Sequence, residues 1–472
     1  MGTGNRPWHI EEHGIELVRE NERQGRIADL FWIWFAGNIG VLALVYGGIA
    51  LSFGLNFWQG LLAIILGSAS FLLVGLFTVA GRDGGAPMMT LSRAVFGLFG
   101  NILPNFVSWL SLVGWETISV ITGTLALMAL LEMFAHISTM VAAMVAMVIM
   151  LGLTIAIGLL GQATLVVVQT WASYLFGLLT LAVIVLLVPH THWQALWNRP
   201  AGPWLKGFVP ALSIVMAGTG LSWANAAADY SRYIPRSASR RGILWGATLG
   251  AMIPLVILMV VGMLLATKEP ALATSSNPIL VIQKALPEWM SVPYLITAAG
   301  GLVVEADLSL YSSGLNLLNM FVPLPRYKTV IIDAIIMIAG TIYVVLVAQN
   351  FFGPFESFIL LLGVGLAAWA GIFMVDQLLY RSHGLYRQQD MYPNSQARRF
   401  RWGAISAWVI AVAVGLLFTT SPFFNGPLAT GIFASSSLEL LIAFALGAIL
   451  YPIFSRLGRT NANDDKRGSL GV

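Results

Sequence analysis

The stretch LFWIWFAGNIGVLALVYGGIA, residues 30–50, is apolar over the length that crosses a bilayer as a helix, yet Gly37, Asn38 and Gly40 interrupt it. Apolar stretches of this length recur along the chain as far as Tyr451. Of the 472 residues, 58% are hydrophobic and 10% are charged, and the mean hydropathy is +0.81, far above that of a soluble domain. We therefore predict an all-α integral membrane protein and exclude a soluble enzyme.

Apolar stretches separated by glycine, proline and charged residues predict twelve membrane-spanning helices. They lie near residues 30–50, 57–80, 104–132, 139–160, 165–188, 208–229, 243–266, 292–320, 329–347, 354–379, 403–420 and 429–455. The predicted order is an N-terminal tail, a first unit of five helices, a second unit of five helices, two additional helices and a C-terminal tail. These parts correspond to residues 1–29, 30–188, 208–379, 403–455 and 456–472.

The basic residues predict the orientation of the chain, because Lys and Arg concentrate in cytoplasmic loops. With both tails in the cytoplasm, the outer loops hold four of the 25 basic residues, namely Arg199, Lys206, Lys268 and Lys284. The arginine clusters are interpreted as orientation and lipid-headgroup signals, and nucleic acid is not an expected partner. The N-terminal tail lacks the short apolar core of a secretory signal. We expect a multi-pass protein of the plasma membrane, the inner membrane of a bacterium, with lipid around it.

The residue types that bind most metals are missing from the predicted spans. The chain has no cysteine, and its six histidines fall in the predicted tail or loops. A disulfide, a thiolate metal site and a histidine-ligated haem are therefore not expected. The sequence has no metal-ligand pattern or nucleophile–base arrangement that indicates an enzyme, so we predict no catalytic residue, no metal and no cofactor.

Carboxylates inside the predicted spans are the unusual charges of this sequence. An ionised carboxylate in the bilayer interior is costly unless it faces a cavity or a partner, so such residues are candidates for function. The predicted spans contain no Lys or Arg to pair with them, which favours a cation-coupled transporter over a passive pore. Four of these acids lie well inside spans and four lie nearer span ends, namely Glu116, Glu305, Asp307 and Glu356, then Asp229, Asp333, Asp376 and Glu439.

Two clusters of small and polar residues interrupt apolar helices that are five spans apart. The first is residues 35–40, FAGNIG, and the second is residues 217–225, AGTGLSWAN. Helices interrupted at mid-membrane are typical of transporters built from two inverted repeats, whereas close packing through small residues is the alternative for each cluster. The offset predicts two five-helix units of opposite orientation, with helices 1 and 6 discontinuous, followed by two extra helices.

Several motifs together resemble a known family over nearly the whole chain. They are NERQGRIADLFWIWFAGN (21–38), GGAPMMTLSRAVFGLFGNILP (84–104), GW (114–115), SWANAAADYSRYIP (222–235) and LYSSGL (310–315). The sequence resembles the nucleobase:cation symporter-1 family of purine, cytosine, allantoin and hydantoin permeases, and its AADYSRYIP stretch is similar to the purine-cytosine permease branch. The resemblance implies a LeuT-like 5+5 inverted repeat plus two extra helices, and alternating access.

The resemblance also implies where a substrate binds. In the family a flat heterocycle lies between aromatic rings of the third and sixth spans, which implies Trp115, with Ser119 one turn further on the same helix face. Ser119 is shorter than the amide side chain of characterised members, which leaves room for a purine. The aromatic ring of the sixth span is Trp223 or another ring, because related branches have it where this chain has Gly220. The remaining implied substrate residues are Phe35, Asn38, Thr219 and Ser222.

The eighth span departs from the family where relatives bind sodium. This chain has Val304 there, which has no oxygen ligand to offer, and it has Glu305, Asp307 and Ser309 beyond it. We interpret Glu305 as the proton-coupling carboxyl, and Asp307 as a second coupling group or, with Ser309, as a substrate contact. Sodium remains an alternative, because carboxylates also bind it. Gln169 in the fifth span is either the counterpart of a gating acid or a polar packing contact, and Glu116 is expected to face a neighbouring helix.

We therefore predict a symporter that imports a nucleobase, a purine or cytosine, with H+, and that works as a monomer. The alternatives within the family are coupling to Na+ and a different heterocycle, namely allantoin, hydantoin, uracil or a hydroxymethylpyrimidine. A channel, a sensor and a membrane-embedded enzyme are the alternatives from other classes.

Overall fold

Long apolar stretches become helices in a bilayer because only hydrogen bonds within the chain satisfy their backbone groups. A computed structural model describes residues 7–11, 13–134, 137–275, 277–348, 352–381 and 386–468. Within these ranges the chain consists of helices, loops and one isolated β-bridge, between Thr420 and Asn425. Among the described residues, ten helices are long and apolar enough to cross a membrane, and one bent helix pair adds an eleventh candidate. The predicted class, an all-α integral membrane protein, is confirmed.

Eight helices make up the first predicted unit and the tail that leads into it. They are α1 (Ile27–Ala36), α2 (Val41–Ser52), α3 (Phe57–Ser68), α4 (Phe71–Gly84), α5 (Met88–Phe96), α6 (Ile102–Phe134), α7 (Thr139–Leu160) and α8 (Gln162–Leu187). The axes of α1 and α2 differ by 62° across a short break, and together they cover the first predicted span. Helices α3 and α4 follow one another closely enough to form one span.

Eleven further helices follow. They are α9 (Trp193–Trp197), α10 (Val209–Gly218), α11 (Gly220–Ala224), α12 (Arg240–Leu265), α13 (Pro278–Lys284), α14 (Glu288–Asn319), α15 (Arg326–Ile342), α16 (Phe352–Leu379), α17 (Gln388–Met391), α18 (Trp402–Leu417) and α19 (Glu439–Gly468). A π-helical turn, Trp204–Phe208, precedes α10, and another, Tyr343–Val347, follows α15. The sixth predicted span ends earlier than expected, because helix α11 stops at Ala224 and turns follow it.

The last two predicted spans differ most from the structure. Helix α18 has 16 residues, about 24 Å at 1.5 Å per residue, which is less than the ~30 Å hydrocarbon core. The count of twelve spans therefore stays a prediction. The span predicted to begin at 429 becomes helical only at Glu439, which corrects that boundary. Ser435 and Ser437 have φ of 57° and 46°, and residues in this left-handed region do not continue a right-handed helix.

The central helices pack closely through small residues. Helix α14 packs against α6, α8 and α15, and α12 packs against α1, α2 and α4. A β-carbon on Gly47 of α2 would collide with the carbonyl of Met259, and one on Gly262 of α12 would collide with that of Leu44. Small residues at such crossings let helix backbones approach each other, as is common inside membranes. The arrangement holds the break between α1 and α2 next to the middle of α14.

The N-terminal segment is more buried than a solvated tail. The backbone N–H of Val18 donates to the carbonyl of Gly85 at 2.9 Å, and that of Gly25 donates to Tyr233 at 2.9 Å. The guanidinium of Arg23 is buried and donates to the carbonyl of Arg82 at 2.6 Å. Described residues of the predicted tail therefore belong to the packed structure.

Candidate functional site

The break in the first span faces a carboxyl of α14. Gly40 begins α2 with extended backbone, and Oε2 of Glu305 lies 3.4 Å from the place of a β-carbon on Gly40. Asn38 lies within the break, is buried, and donates from Nδ2 to the carbonyl of Trp34 at 2.8 Å. This bond satisfies a carbonyl at the end of α1, which the helix leaves without a partner. Asn38 thus stabilises the break beside Glu305.

The sixth span is interrupted at Thr219. Its backbone angles, φ −129° and ψ −116°, separate α10 from α11. The Thr219 hydroxyl donates to the carbonyl of Val215 at 2.6 Å, and the Ser222 hydroxyl donates to the carbonyl of Ala217. Both hydroxyls, predicted as substrate contacts, therefore bond to carbonyls of their own span and stabilise the interruption.

Gly220 lies against the junction of α3 and α4. A β-carbon on Gly220 would collide with backbone atoms of Ser70 and Phe71. Because not even a methyl group fits there, an aromatic ring at this position is excluded. The contact of Gly220 with substrate stays a prediction. The aromatic ring of the interrupted sixth span is Trp223 of α11.

Trp223 belongs to a cluster of buried aromatic rings centred on Trp34. The Trp34 ring centroid lies 5.6 Å from that of Trp223, 5.4 Å from Tyr230 and 5.7 Å from Phe71, all edge to face. Trp34 is fully buried, and its indole Nε1 has no hydrogen-bond partner among the residues that the structure describes. The sequence analysis missed Trp34, although it precedes Asn38 by four residues and therefore shares its helix face.

Phe35 lies on a different face of α1. Its ring stacks on Phe31 at 5.9 Å, meets Trp32 edge-on at 5.7 Å, and lies beside Gly177 of α8. The side chain is half-buried. The ring packs in the contact between α1 and α8, and its place in the substrate site stays a prediction.

Trp115 and Ser119 lie one turn apart on α6, and both are buried. The Trp115 ring meets Phe358 of α16 edge-on, with 6.1 Å between the centroids. The Ser119 hydroxyl has no hydrogen-bond partner within the described ranges. The predicted role of Ser119 as a substrate contact stays a prediction.

The middle of α14 holds polar groups that are buried without partners. Asp307 is 1% exposed, and neither of its carboxyl oxygens has a hydrogen-bond partner in the described part of the chain. The same holds for the hydroxyl of Ser309 among those residues. Nearby, the Tyr230 hydroxyl donates to the carbonyl of Leu308 at 2.7 Å. A buried carboxyl without partners is costly, so Asp307 is a candidate for binding a proton or a ligand.

The position of the family's sodium ligands is apolar in this chain. Val304 packs against Ala36 of α1 and Ala172 of α8. The Val304 carbonyl accepts a hydrogen bond from Nε2 of Gln169 at 2.8 Å. Gln169 is therefore a polar packing contact between α8 and α14, the second of the two roles considered for it.

Buried arginines pair with acids, contrary to the interpretation of the arginine clusters as surface signals. Arg232 is fully buried, and its NH2 group lies 3.2 Å from Oε1 of Glu11 and 2.7 Å from the Tyr311 hydroxyl. Nε of Arg326 lies 4.0 Å from Oε2 of Glu11. Burial by itself raises the pKa of Glu11, but the two guanidinium groups and the hydrogen bonds from Gln162 and Tyr233 together outweigh it and hold the pKa below its usual value. The N-terminal segment is thus tied to the bundle by an ion cluster.

Other acids of the predicted spans also have partners. Asp376 pairs with Arg381 and accepts a bond from the Tyr451 hydroxyl at 2.6 Å, which corrects the expectation that no basic residue reaches these acids. Asp229 accepts the backbone N–H of Met88 at 2.7 Å and so stabilises the start of α5. The side chain of Glu356 lies outside the described residues.

A helical membrane bundle whose first span is broken beside a buried carboxyl is typical of a transport protein. A profile of the family described as permease for cytosine/purines, uracil, thiamine, allantoin matches residues 17–442. The chain belongs to this permease family, and the predicted resemblance is confirmed.

Individual relatives extend over almost the entire chain. A putative purine-cytosine permease of Bacillus subtilis, YxlA, is 27% identical over 483 residues, which cover 98% of this chain and 100% of the relative. The purine-cytosine permease fcyB of Emericella nidulans is 23% identical, covering 94% of this chain and 88% of the relative. These relatives agree with the predicted branch.

Solved structures agree on the fold. Mhp1, a nucleobase-cation-symport-1 family transporter, in a closed conformation with bromovinylhydantoin bound, matches with a TM-score of 0.69 at 18% identity, covering 97% of this chain and 96% of that chain. Its inward facing conformation matches with a TM-score of 0.70 at 17% identity and the same coverage. At this level of identity the likeness concerns the fold, and it confirms the predicted LeuT-like architecture.

Proposed function

We propose that this permease imports a nucleobase, a purine or cytosine, together with a proton by alternating access. The observation that carries the proposal is the Glu305 carboxyl beside Gly40, at the break of the first span. The family description and the names of the relatives support the class of substrate. The proton is supported by the chemistry around Glu305.

Coupling to a proton is favoured at Glu305, because the negative charge of the ionised carboxylate acts on a helix end. Gly40 caps the N-terminus of α2, whose free N–H groups and dipole attract a negative charge. An ionised Glu305 therefore pulls α2 toward α14, and a protonated Glu305 releases it. This change acts at the bend between α1 and α2, where alternating access needs a movable joint. Sodium is disfavoured, because the neighbouring Val304 packs among alanines and offers no side-chain oxygen.

Trp115 and Trp223 support a flat heterocyclic substrate. Both indoles are buried, on α6 and α11, and stacking of a base on such a ring contributes about 1–3 kcal/mol. Polar atoms without partners among the described residues, on Ser119 and Asp307, complement the donors and acceptors at the edge of a base. The short Ser119 side chain favours a purine over the smaller cytosine.

The test is uptake of radiolabelled adenine, guanine, hypoxanthine, cytosine, uracil and allantoin into cells that express the protein. We expect accumulation of a purine or cytosine that survives in sodium-free buffer and is lost with a protonophore. Sodium-dependent uptake would contradict coupling to a proton. Uptake of uracil or allantoin alone would favour the alternative substrates, and equilibration without accumulation would indicate a channel.

We further propose a monomer in the plasma membrane, the inner membrane of a bacterium, with both tails in the cytoplasm. The distribution of the basic residues supports this orientation. Because the chain has no cysteine, single introduced cysteines report sidedness. We expect an impermeant thiol reagent to label Gln194→Cys from outside in intact cells, and Ser237→Cys only after lysis. The reverse pattern would contradict the orientation, and light scattering of the purified protein tests the monomer.

A further inference from the structure

Two carboxyls outside the substrate and coupling residues meet at one serine. Oγ of Ser313 in α14 lies 3.3 Å from Oε2 of Glu116 in α6 and 2.8 Å from Oδ2 of Asp333 in α15. On its other side Asp333 accepts a hydrogen bond from the indole Nε1 of Trp109 at 2.9 Å. Glu116, Ser313 and Asp333 are fully buried. We call the carboxyls of Glu116 and Asp333, which Ser313 bridges, the carboxyl pair.

If both carboxyls were ionised, the carboxyl pair would have too few hydrogens for its contacts with Ser313. The Ser313 hydroxyl has one hydrogen, yet its oxygen lies within hydrogen-bond distance of both carboxyls and, at 3.0 Å, of the Leu310 carbonyl. Two negative charges this close in a buried place repel each other strongly. Neither carboxyl forms an ion pair with a basic side chain among the described residues, so a proton is the remaining way to neutralise one of them.

We propose that Glu116, Ser313 and Asp333 form a second proton-binding site that holds one proton on Glu116. In this arrangement Oε2–H of Glu116 donates to Ser313, and the Ser313 hydroxyl donates to the ionised Asp333. The indole of Trp109 donates to the other oxygen of Asp333. Both oxygen–oxygen contacts of Ser313 then contain a hydrogen, which is not possible when both carboxyls are ionised, because the Ser313 hydroxyl has only one hydrogen to donate.

The groups around the carboxyl pair favour this proton. The second oxygen of Glu116, Oε1, is buried without a hydrogen-bond partner among the described residues. An unpaired oxygen is less costly in a neutral carboxyl than in an ionised one.

No cation from neighbouring helices replaces the proton. Helix α7 packs against α6, α14 and α15 and contains no titratable residue. On α16, Asp376 is paired with Arg381, and on α13, Lys284 is exposed. No group of three or more His, Asp or Glu residues in the described part of the chain is arranged to hold a metal ion. The ligand of the carboxyl pair is therefore a proton.

The experiment is infrared spectroscopy of the purified full-length protein at neutral pH, which reads protonated carboxyls directly and needs no transport. We expect the difference spectrum of the wild type minus Glu116→Gln to contain the carbonyl band of one protonated carboxyl. Glu132→Gln, an exposed glutamate on the same helix, is the matched control and should lose only carboxylate bands. Loss of only carboxylate bands in Glu116→Gln would overturn the proposal.

Ser313→Ala tests the bridge and covers the case in which Glu116→Gln fails to fold. It should keep the protonated band but shift its frequency, because the hydroxyl that accepts the bond from Glu116 is gone. A band unchanged by Ser313→Ala, or one that disappears when sodium is added, would overturn the proposal. The proposal does not rest on Glu305, so a failed uptake experiment leaves this spectrum informative.

Discussion

The Glu305 carboxyl of α14 faces Gly40 at the start of α2, with Oε2 3.4 Å from the place of a β-carbon on Gly40. This contact joins the eighth predicted span to the break of the first. In the proposed mechanism, a change of charge on Glu305 acts through this contact on the hinge between α1 and α2.

Glu305→Gln should remove the dependence of uptake on the proton gradient while leaving exchange of substrate across the membrane. The amide keeps the size of the side chain but cannot release a proton. The measurement is counterflow and protonophore-sensitive accumulation in proteoliposomes. Glu132→Gln, exposed on α6, is the control. Unchanged proton-driven accumulation in Glu305→Gln would reject Glu305 as the coupling group.

Trp115→Ala should weaken substrate binding by about 5- to 150-fold, since stacking on one ring contributes about 1–3 kcal/mol. Trp115→Phe should lose less, because a ring remains. Titration of the purified protein with labelled base measures the binding affinity. Trp402→Ala, at a position 67% exposed, is the control for loss of an indole. Equal affinity of Trp115→Ala and wild type would remove Trp115 from the site.

Gly220→Ala should destabilise the protein by at least about 1–3 kcal/mol, the usual cost of overpacking. The new methyl group would collide with backbone atoms of Ser70 and Phe71, which cannot rotate away as a side chain does. Gly301→Ala in α14 is the matched control, because no described atom outside its own helix backbone lies within 4 Å of the new methyl group there. We expect Gly301→Ala to be neutral or to stabilise by up to ~1 kcal/mol. Thermal midpoints in detergent compare the two, and equal midpoints would contradict the packing at Gly220.

Acid should weaken the attachment of the N-terminal segment. The pKa of Glu11 is lowered in the folded protein, because the Arg326 and Arg232 guanidiniums and the hydrogen bonds from Gln162 and Tyr233 together outweigh its burial. A lowered pKa means that the stabilisation is complete above the usual value of 4.5 and is lost as the pH falls through the folded value.

Glu11→Gln should therefore lower the thermal midpoint at pH 7 and flatten its fall below the usual pKa. Breaking a buried ion pair costs about 3–5 kcal/mol, because a charge is left without its partner. Thermal midpoints measured from neutral pH down to below pH 4 check this, with Glu132→Gln as the exposed control. If the thermal midpoints of Glu11→Gln and wild type fall in parallel as the pH is lowered, Glu11 is not the source of the acid sensitivity.

Composition and spacing were enough to predict the membrane class, because a helix in lipid needs a continuous apolar run. They also predicted Trp115 and Ser119 on one face, since that relation depends only on the helix period. The glycine and asparagine clusters marked both places where the structure interrupts a span. These features are local, so neighbouring residues of the chain determine them.

The directions in which side chains point were not predictable in the same way. Helical periodicity says that Trp34 and Phe35 lie on different faces of α1, but not which face meets the bundle. The sequence analysis chose Phe35, whereas the packing of α1 against α4, α8 and α11 buries Trp34. The rotation of a helix about its axis depends on all its neighbours at once, and one sequence does not specify it.

The sequence by itself determined an all-helical membrane protein and the family of permeases, whereas twelve spans and two discontinuous helices stay predictions. Only the tertiary structure decided which charges meet. Glu11 and Arg232 are separated by 221 residues, and Glu116 and Ser313 by 197. Pairing across such distances depends on how helices pack, because the energy of a buried charge is set by the groups that surround it in space and not by its neighbours along the chain.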